Sequence, residues 1–157
     1  MKKPYYLLIA LSIFCFACAD DDDNNEHAVS IEHYQSEKSK ALGLPFSDAV
    51  IVGDIIYLSG QVGNLPGEMD LAPGGLIPET KQIFKNIEAV LKANGSSLDD
   101  IIKVTVMMEN IDQWGEFNEE YVKIFDGDKK PARSAFGSRG LALKAKLEVE
   151  CIALKRR

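Results

Sequence analysis

Arg133 is the residue of this chain whose chemistry and position are most informative. It lies in the segment Lys130–Phe136, shortly after Pro131, and a proline within a sheet is confined to strand starts and edges. The apolar residues that follow predict that Arg133 is carried into a sheet. An arginine held there keeps its charge and presents a planar fork that matches a carboxylate or a phosphate. A strand-end salt bridge is the alternative that this segment leaves open.

Two glutamates in the last predicted strand, Glu148 and Glu150, share one of its faces because side chains alternate along a strand. Paired carboxylates are common on an exposed edge strand, so by themselves these two residues indicate a solvated pair. Cys151 points to the other face, where we expect a buried and unreactive thiol. Trp114 and Phe117 lie on the apolar side of a predicted helix and are expected in the core.

The composition limits the class of protein. A chain of 157 residues that is 46% hydrophobic fits one modest domain. The formal net charge of -6 argues against a nucleic-acid partner bound through phosphate contacts. The three cysteines form no disulfide framework, and no Cys/His cluster has the spacing of a metal site. Both histidines, His27 and His33, are near the start, which argues against a histidine-based catalytic triad.

The first residues of the chain predict export. Lys2 and Lys3 precede the apolar stretch Tyr5–Ala17, which suits a signal peptide and is short of the ~20 residues of a membrane span. Cys18 follows Ala17, as in the lipobox of bacterial lipoproteins, although Cys15 occupies a position that usually holds an aliphatic residue. We therefore predict a signal peptide at residues 1–17 and acylation of Cys18. There are two alternatives: cleavage after residue 19, which would release a soluble protein, and an uncleaved anchor.

Residues 18–28 are rich in aspartate and are predicted to form an acidic, flexible tether. A similar acidic run directs some Bacteroidetes lipoproteins to the cell surface, and a plain solvated spacer is the alternative. An acidic protein gains nothing electrostatically from anionic lipid, so the acyl chains would have to hold it on the membrane. The expected location is the bacterial envelope, at the outer membrane or cell surface, or otherwise the periplasm or medium.

Apolar spacing predicts an α+β domain over residues 29–157, with the element order β-β-β-α-β-α-β-β. Gly53-Asp54 between two apolar runs predicts a hairpin with a type II′ turn. Two helices on one face of a mixed sheet leave its other face bare, so we expect oligomerisation through that face. The predicted strands are Ile31–Tyr34, Ala49–Val52, Ile55–Ser59, Ile102–Met108, Ala132–Phe136 and Lys146–Leu154, and the predicted helices are Glu79–Ala93 and Asp112–Phe125.

Five short motifs, in order and at the right spacing, give the chain its resemblance to the RidA/YjgF family of reactive-intermediate imine deaminases. The resemblance covers roughly residues 40–157. It implies a chorismate-mutase-like fold and a homotrimer whose sheets pack inward as a barrel-like core, with active sites between subunits. The motifs are Tyr57-Leu58-Ser59-Gly60-Gln61, Asn86-Ile87-Glu88-Ala89-Val90-Leu91, Phe117-Asn118 with Tyr121, Pro131-Ala132-Arg133-Ser134 and Glu148-Val149-Glu150.

The resemblance also implies a reaction. Family members hydrolyse 2-imino acids and their enamine tautomers to 2-oxo acids and ammonia, without a cofactor. By this resemblance Arg133 would bind the substrate carboxylate bidentately, and Glu148 would orient or activate water. Side chains or backbone groups at four further positions would line the pocket: Ser59, Gly60, Asn118 and Ala135. Asn118 as an ordinary helix residue and Ser59 as a strand-end serine are the alternatives.

Two departures from the family pattern bear on activity. Many deaminating members have Pro-Tyr-Ser where this chain has Pro45-Phe46-Ser47; Phe46 keeps the ring at the predicted site and loses the hydroxyl. The family often has Gln-Thr where this chain has Glu79-Thr80, a change expected near the mouth of the cleft that could alter the preference for substrate charge.

Three functions follow as hypotheses. The first is an exported imine and enamine deaminase, favoured because Arg133 and Glu148 are both present. The second is a binding module that captures small carboxylates in the same inter-subunit cleft without turnover, favoured by Phe46. The third, an endoribonuclease, follows an older label of the family and is opposed by the acidic charge and by the absence of histidine from the predicted site.

Overall fold

Residues 29–156 are described by the computed structural model, and their backbone forms one mixed, six-stranded sheet. The predicted signal peptide, tether and acylated Cys18 lie outside these residues. No helix within residues 29–156 is long and apolar enough to cross a membrane. The strands are β1 (Ile31–Tyr34), β2 (Ala49–Val52), β3 (Ile55–Leu58), β4 (Ile101–Met108), β5 (Ala132–Gly137) and β6 (Leu147–Leu154), and the helices are α1 (Glu37–Ala41), α2 (Leu76–Ala93) and α3 (Trp114–Ile124).

The strands lie in the order β1-β2-β3-β6-β4-β5. All neighbours pair antiparallel except β4 and β5, which are parallel and are joined through α3, as a parallel connection requires. The predicted α+β class and the mixed sheet are therefore confirmed. The short helix α1 was not predicted, because its five residues are too few to show a helical period.

The hairpin between β2 and β3 is the predicted one. Val52 pairs with Ile55, which leaves Gly53 and Asp54 as a two-residue loop. Gly53 has φ = +60°, and Asp54 is not among the described non-glycine residues with positive φ. A positive φ at the first loop position alone is the type II′ pattern, which follows the twist of the paired strands.

The core lies between the sheet and the two long helices. α2 contributes Ile83, Ile87 and Leu91, and α3 contributes Phe117 and Tyr121, all of them buried. Every second residue of the strands faces these helices, as the alternation of a strand requires. The buried strand residues of this face are Ala49, Ile51, Ile56, Leu58, Ile101, Val104, Val106, Met108, Leu147, Val149, Cys151 and Ala153.

The other face of the sheet carries no helix within residues 29–156, and it is partly apolar. Tyr57, Phe136 and Leu154 are exposed there, on three different strands. Both long helices thus lie on one face, as predicted, and a single chain leaves the apolar positions of the opposite face in contact with solvent.

Candidate active site

Arg133 lies in β5, at the edge of the sheet, with its side chain on the face that carries the helices. This placement follows from register, because Arg133 pairs with the buried Val104 of β4. Its guanidinium carbon is 4.4 Å from the centroid of the Tyr121 ring and 5.6 Å from the centroids of Trp114 and Phe117. Such distances are those of cation–π contacts. The guanidinium is therefore supported by the aromatic side chains of α3.

No carboxylate of residues 29–156 forms an ion pair with Arg133, so the salt-bridge alternative is wrong for the described chain. A guanidinium that rests on a ring keeps its N–H donors in its own plane. Those donors form no hydrogen bond with the described residues. Arg133 is thus held in place by rings while its hydrogen-bonding edge remains available to a planar anion.

The rings below Arg133 belong to a packed aromatic cluster. Tyr121 contacts Phe84 at 6.0 Å and Phe125 at 4.7 Å between ring centroids, which joins α2 to α3. The Tyr121 hydroxyl is buried and has no hydrogen-bond partner among the described residues. Burial raises the pKa of this phenol, so it stays neutral beside the guanidinium. Trp114 differs from the prediction of a core residue, because 43% of it is exposed.

Glu148 lies in β6 with its side chain on the face opposite to Leu147 and Val149, which are buried under the helices. Its carboxylate packs directly against Gly60, just beyond the end of β3. A Cβ added at Gly60 would meet Oε1 of Glu148 and lie 2.9 Å from its Cδ. Glycine is therefore required at this position if the carboxylate is to remain where it is.

The segment after β3 is fixed against β6 by two backbone hydrogen bonds. Gln61 N–H donates to the carbonyl of Val149 at 2.8 Å, and Val149 N–H donates to the carbonyl of Gln61 at 3.0 Å. These bonds set the close approach of Gly60 to Glu148. The two residues are far apart in sequence, and only the antiparallel pairing of β3 with β6 brings them together.

Glu148 is half-buried and has no hydrogen-bond or ion-pair partner among the described residues. Burial raises the pKa of its carboxyl group, and the negative charge of Glu150 raises it further. Glu150 itself is exposed. The prediction of a solvated pair of carboxylates therefore fits Glu150 and does not fit Glu148. A partly buried, unpaired carboxylate with a raised pKa is a candidate for proton transfer.

Glu148 forms part of the wall of a cleft of about 760 Å³. Gly60 and Phe46 also line this cleft, so three of the predicted site residues share it. Ser59 lies beside them, and its hydroxyl donates to the carbonyl of Ser47 at 2.7 Å. That bond fixes the segment that carries Phe46, which makes Ser59 a support of the wall.

The other predicted site residues are grouped around Arg133. Ala135 is two residues further along β5 on the same face, since it pairs with the buried Val106. Asn118 is half-buried on α3, one helical turn from both Trp114 and Tyr121, whose rings contact the guanidinium. The structure therefore divides the predicted residues into a group at Arg133 and a group at Glu148.

One chain does not bring these two groups together. β5 and β6 lie on either side of β4. Met107 of β4 pairs with Glu148 of β6 on one side and with Phe136 of β5 on the other, and Phe136 is three residues beyond Arg133. The two residues are thus separated by about 10 Å across the strands and about 10 Å along them, from ordinary strand geometry. Their side chains also point to opposite faces of the sheet.

Glu79 was expected near the mouth of the cleft, and its buried side chain does not line the cleft that contains Glu148. Its buried carboxylate accepts the backbone N–H of Lys146 at 2.8 Å, just before β6 begins. Burial raises the pKa of this carboxyl group. Glu79 therefore has a structural role, because it fixes the residue from which the strand of Glu148 starts.

Cys151 is buried, as expected, and burial raises the pKa of its thiol to about 12. It therefore stays protonated and is a poor nucleophile. Within residues 29–156, no three His, Cys, Asp or Glu side chains are grouped in a way that could hold a metal ion. Proton transfer by Glu148 and anion binding by Arg133 are the chemistry that the described side chains offer.

Two contributors were missed by sequence reasoning. Trp114 contacts the guanidinium of Arg133, and Leu143 lines the cleft beside Glu148. Leu143 has φ = +56°, a conformation that is rare for a bulky residue. Neither property has a local signal, because one depends on the packing of a helix on a strand and the other on a turn without glycine.

Sequence comparison identifies proteins that are similar to this chain. A family model described as Endoribonuclease L-PSP matches residues 38–155. The 2-iminobutanoate/2-iminopropanoate deaminase of Mus musculus is 40% identical over 111 residues, which cover 71% of this chain and 82% of that protein.

Solved structures of Rid proteins are also similar to this chain. RidA from an Antarctic Psychrobacter has 32% identity and a TM-score of 0.71, over 78% of this chain and 98% of that one. The Rid-family protein YyfA from Yersinia pestis has 32% identity and a TM-score of 0.73, over 80% of this chain and 99% of that one. This chain therefore belongs to the RidA/YjgF family, the group that the Endoribonuclease L-PSP model describes.

Proposed function

We propose that this protein hydrolyses 2-imino acids and their enamine tautomers to 2-oxo acids and ammonia, in a site formed between two copies of the chain. The observation that carries the proposal is the pair of unpartnered charged groups. Arg133 is held on aromatic rings with its N–H donors available, and Glu148 is half-buried beside Gly60 without a partner. The relatives named as imine deaminases support the same reaction class.

The first step is binding of the substrate carboxylate. The Arg133 fork donates two parallel hydrogen bonds to the two carboxylate oxygens, which fixes the position and the plane of the neighbouring C=N group. Fixing a reactant in this way lowers the entropic part of the barrier. The stacked rings of Tyr121 and Trp114 restrict the motion of the guanidinium, so the substrate is bound to a group that is already positioned.

The second step is addition of water. Glu148 accepts a proton from water as the water oxygen bonds to the imine carbon, and the imine nitrogen takes up a proton from solvent. Glu148 then returns its proton to the nitrogen, the C–N bond breaks as the new hydroxyl group releases its proton to solvent, and ammonia leaves with a 2-oxo acid. General acid–base catalysis of this kind contributes roughly 10²–10⁴-fold, or about 3–5 kcal/mol of barrier. No cofactor enters this sequence of steps.

The proposed assembly is a homotrimer with sheets facing inward. Two observations support it: the exposed apolar residues on the open face of the sheet, and the placement of Arg133 and Glu148 on opposite faces of one chain. A second copy would have to bring its own Arg133 to the cleft that contains Glu148. Sedimentation analysis of the purified protein measures this directly, and a monomer with full activity would contradict it.

A carboxylate-binding module without turnover is the second candidate function, and Phe46 is the observation that favours it. Its ring lines the cleft, where it can stack on a planar substrate but cannot donate a hydrogen bond. Binding by Arg133 does not require the hydroxyl that is missing here, whereas activation of water is weaker if that hydroxyl normally takes part.

One experiment separates these functions. An amino-acid oxidase generates 2-imino acids in the presence of semicarbazide, and the semicarbazone that forms is followed by absorbance. We expect the purified full-length protein to suppress the semicarbazone, and the Arg133→Ala and Glu148→Gln variants to lose this effect. Arg139→Ala is the matched control, because Arg139 is an exposed arginine six residues away. Wild-type protein that binds 2-oxo acids but suppresses nothing would leave the binding module as the function.

The proposed location is the bacterial envelope, with Cys18 as the lipid-anchored residue. The basic pair Lys2-Lys3, the apolar stretch Tyr5–Ala17 and the following cysteine support this proposal. Metabolic labelling with a palmitate analogue tests it. We expect the label to be lost in Cys18→Ala, and label retained in that variant would refute the acylation site.

A further inference from the structure

The cleft beside Glu148 is much larger than a small imino acid. Its volume is about 760 Å³, whereas a three-carbon 2-imino acid has about six heavy atoms. If each heavy atom takes roughly the 30 Å³ that a water molecule occupies, such a molecule fills about 180 Å³. In one chain most of the cleft would then remain unoccupied, and the substrate shares this space with the Arg133 that a second copy brings. Its volume lies instead in the range of pockets that bind larger ligands, roughly 300–1,000 Å³.

Much of the wall of the cleft that contains Glu148 is apolar. Phe46, Met69 and Leu143 line it, and each of them is between 40% and 48% exposed in the single chain. Leu42 and Leu44 extend the same wall. Apolar side chains that line a concave surface gain free energy when a ligand removes them from water.

The charged residues of the same cleft offer little to a second anionic group. Both carboxylate oxygens of Asp48 are occupied, one by Ser36 N–H at 2.7 Å and one by the Ser39 hydroxyl at 2.7 Å. The Lys38 ammonium donates to a backbone carbonyl at 3.3 Å. Lys85 is exposed to solvent. An acidic substrate side chain would therefore find a repelling carboxylate and two cations that are bound elsewhere or hydrated.

Leu143 is held in the cleft at a conformational cost. Leu143 and Lys144 have φ = +56° and +59°, in the left-handed region that costs a bulky residue free energy. The turn is closed by hydrogen bonds from Lys144 N–H to Leu141 and from Ala145 N–H to Ala142. Of the two left-handed residues, Leu143 lines the cleft and Lys144 does not.

We infer that this cleft selects 2-imino acids with a long or branched apolar side chain, with Leu143, Phe46 and Met69 as the residues that determine the selection. The inference rests on the proposed function, since Arg133 of a second copy and Glu148 would hold the reacting end of the same substrate. The side chain of the substrate then extends from the imine carbon along the apolar wall, away from the charged groups.

The test compares imines made by an amino-acid oxidase from leucine and from alanine, using the purified full-length protein. We expect kcat/KM for the leucine-derived imine to be higher by at least about tenfold, the lower end of what one buried methylene gives. A ratio of one or below overturns the inference. Glutamate supplies an acidic imine of similar length, and a preference for it would overturn the inference as well.

Leu143→Gly and Lys144→Gly form a matched pair. Each relieves one left-handed position, since glycine adopts positive φ without penalty, so neither change is expected to lower Tm. Only Leu143→Gly removes an apolar wall, and we expect it to reduce the leucine-to-alanine ratio several-fold while Lys144→Gly leaves the ratio unchanged. An equal effect of both variants would refute the role of the Leu143 side chain.

A binding measurement separates failure of this inference from failure of the proposed function. Calorimetry compares 4-methyl-2-oxopentanoate, the product expected from leucine, with pyruvate. If no imine is hydrolysed, the proposed reaction is wrong, and a Kd at least about tenfold lower for the branched acid still supports an apolar selection cleft. Equal or weaker binding of the branched acid overturns the inference whether or not the protein turns over imines.

Discussion

Replacement of Gly60 by alanine should lower activity strongly while leaving the fold intact. The new Cβ would meet Oε1 of Glu148 and lie 2.9 Å from its Cδ and 3.1 Å from its Cγ. The described glycines with positive φ do not include Gly60, so alanine has no backbone penalty there. The atoms that must move are at the far end of a flexible side chain, and the Glu148 carboxylate is therefore expected to be displaced by about an ångström or more.

The magnitude follows from this displacement. A misplacement of about 1 Å in a reacting group can cost on the order of 10²-fold in rate, which corresponds to about 2.7 kcal/mol of barrier. Stability should change less, at the lower end of the roughly 1–3 kcal/mol that overpacking costs, because the cleft gives the side chain room to move. We therefore expect kcat/KM to fall about 100-fold with a small change in Tm.

The assay is the semicarbazide competition described above, together with thermal unfolding of the same samples. Gly140→Ala is the control, because a Cβ at Gly140 would have no atom within 4 Å. If Gly60→Ala keeps kcat/KM within about threefold of wild type while Glu148→Gln removes activity, the carboxylate does not work from the position beside Gly60. The reasoning about this contact would then be refuted.

Four further predictions concern Glu148 and the supports of the site. Trp114→Ala should raise KM a few-fold with little change in Tm, because an exposed cation–π contact contributes about 0.5–1 kcal/mol. Recovery of KM in Trp114→Phe would show that the ring positions Arg133. An unchanged KM in Trp114→Ala would contradict this role. Glu148→Gln should raise Tm at neutral pH. Burial raises the pKa of this carboxyl group in the folded state, so ionisation of Glu148 destabilises the folded protein once the pH exceeds the pKa of the unfolded state. Glutamine does not ionise and removes that cost. Glu150→Gln removes the negative charge that is the second cause of the raised pKa of Glu148, so the acid limb of the pH–rate profile should move to lower pH. A shift to higher pH would show that another group limits the rate. Glu79→Ala should lower the free energy of unfolding by about 1–3 kcal/mol, because it leaves a backbone N–H without its acceptor, while Glu79→Gln, which keeps an acceptor oxygen, should be close to wild type in denaturant unfolding.

Local patterns were enough to predict most of the elements. The alternation of apolar residues gave the strands, and helical spacing placed α2 and α3 to within a few residues of their observed bounds. Gly53-Asp54 predicted its turn because a two-residue hairpin loop has few possible conformations. α1 was missed because five residues carry too little periodicity, and the first turn of α2 was missed because it begins before the apolar spacing becomes regular.

The surroundings of the candidate site residues depended on contacts that no local pattern encodes. Sequence reasoning treated Trp114 as a core residue, whereas packing of α3 against β5 places it on Arg133. Glu79 was expected at the cleft, and the start of β6 captures its carboxylate. These errors have one cause: the partner of a side chain is chosen by elements that are distant in the chain.

The sequence by itself determined the type and order of the secondary structure, the residues able to bind an anion or transfer a proton, and the family. These properties depend on side-chain chemistry and on periodicity over a few residues. Tertiary structure decided that Glu148 lies against Gly60, through the pairing of Gln61 with Val149. It also decided that Arg133 and Glu148 point to opposite faces, because strand register fixes the face of every side chain and is set only when separate strands pair.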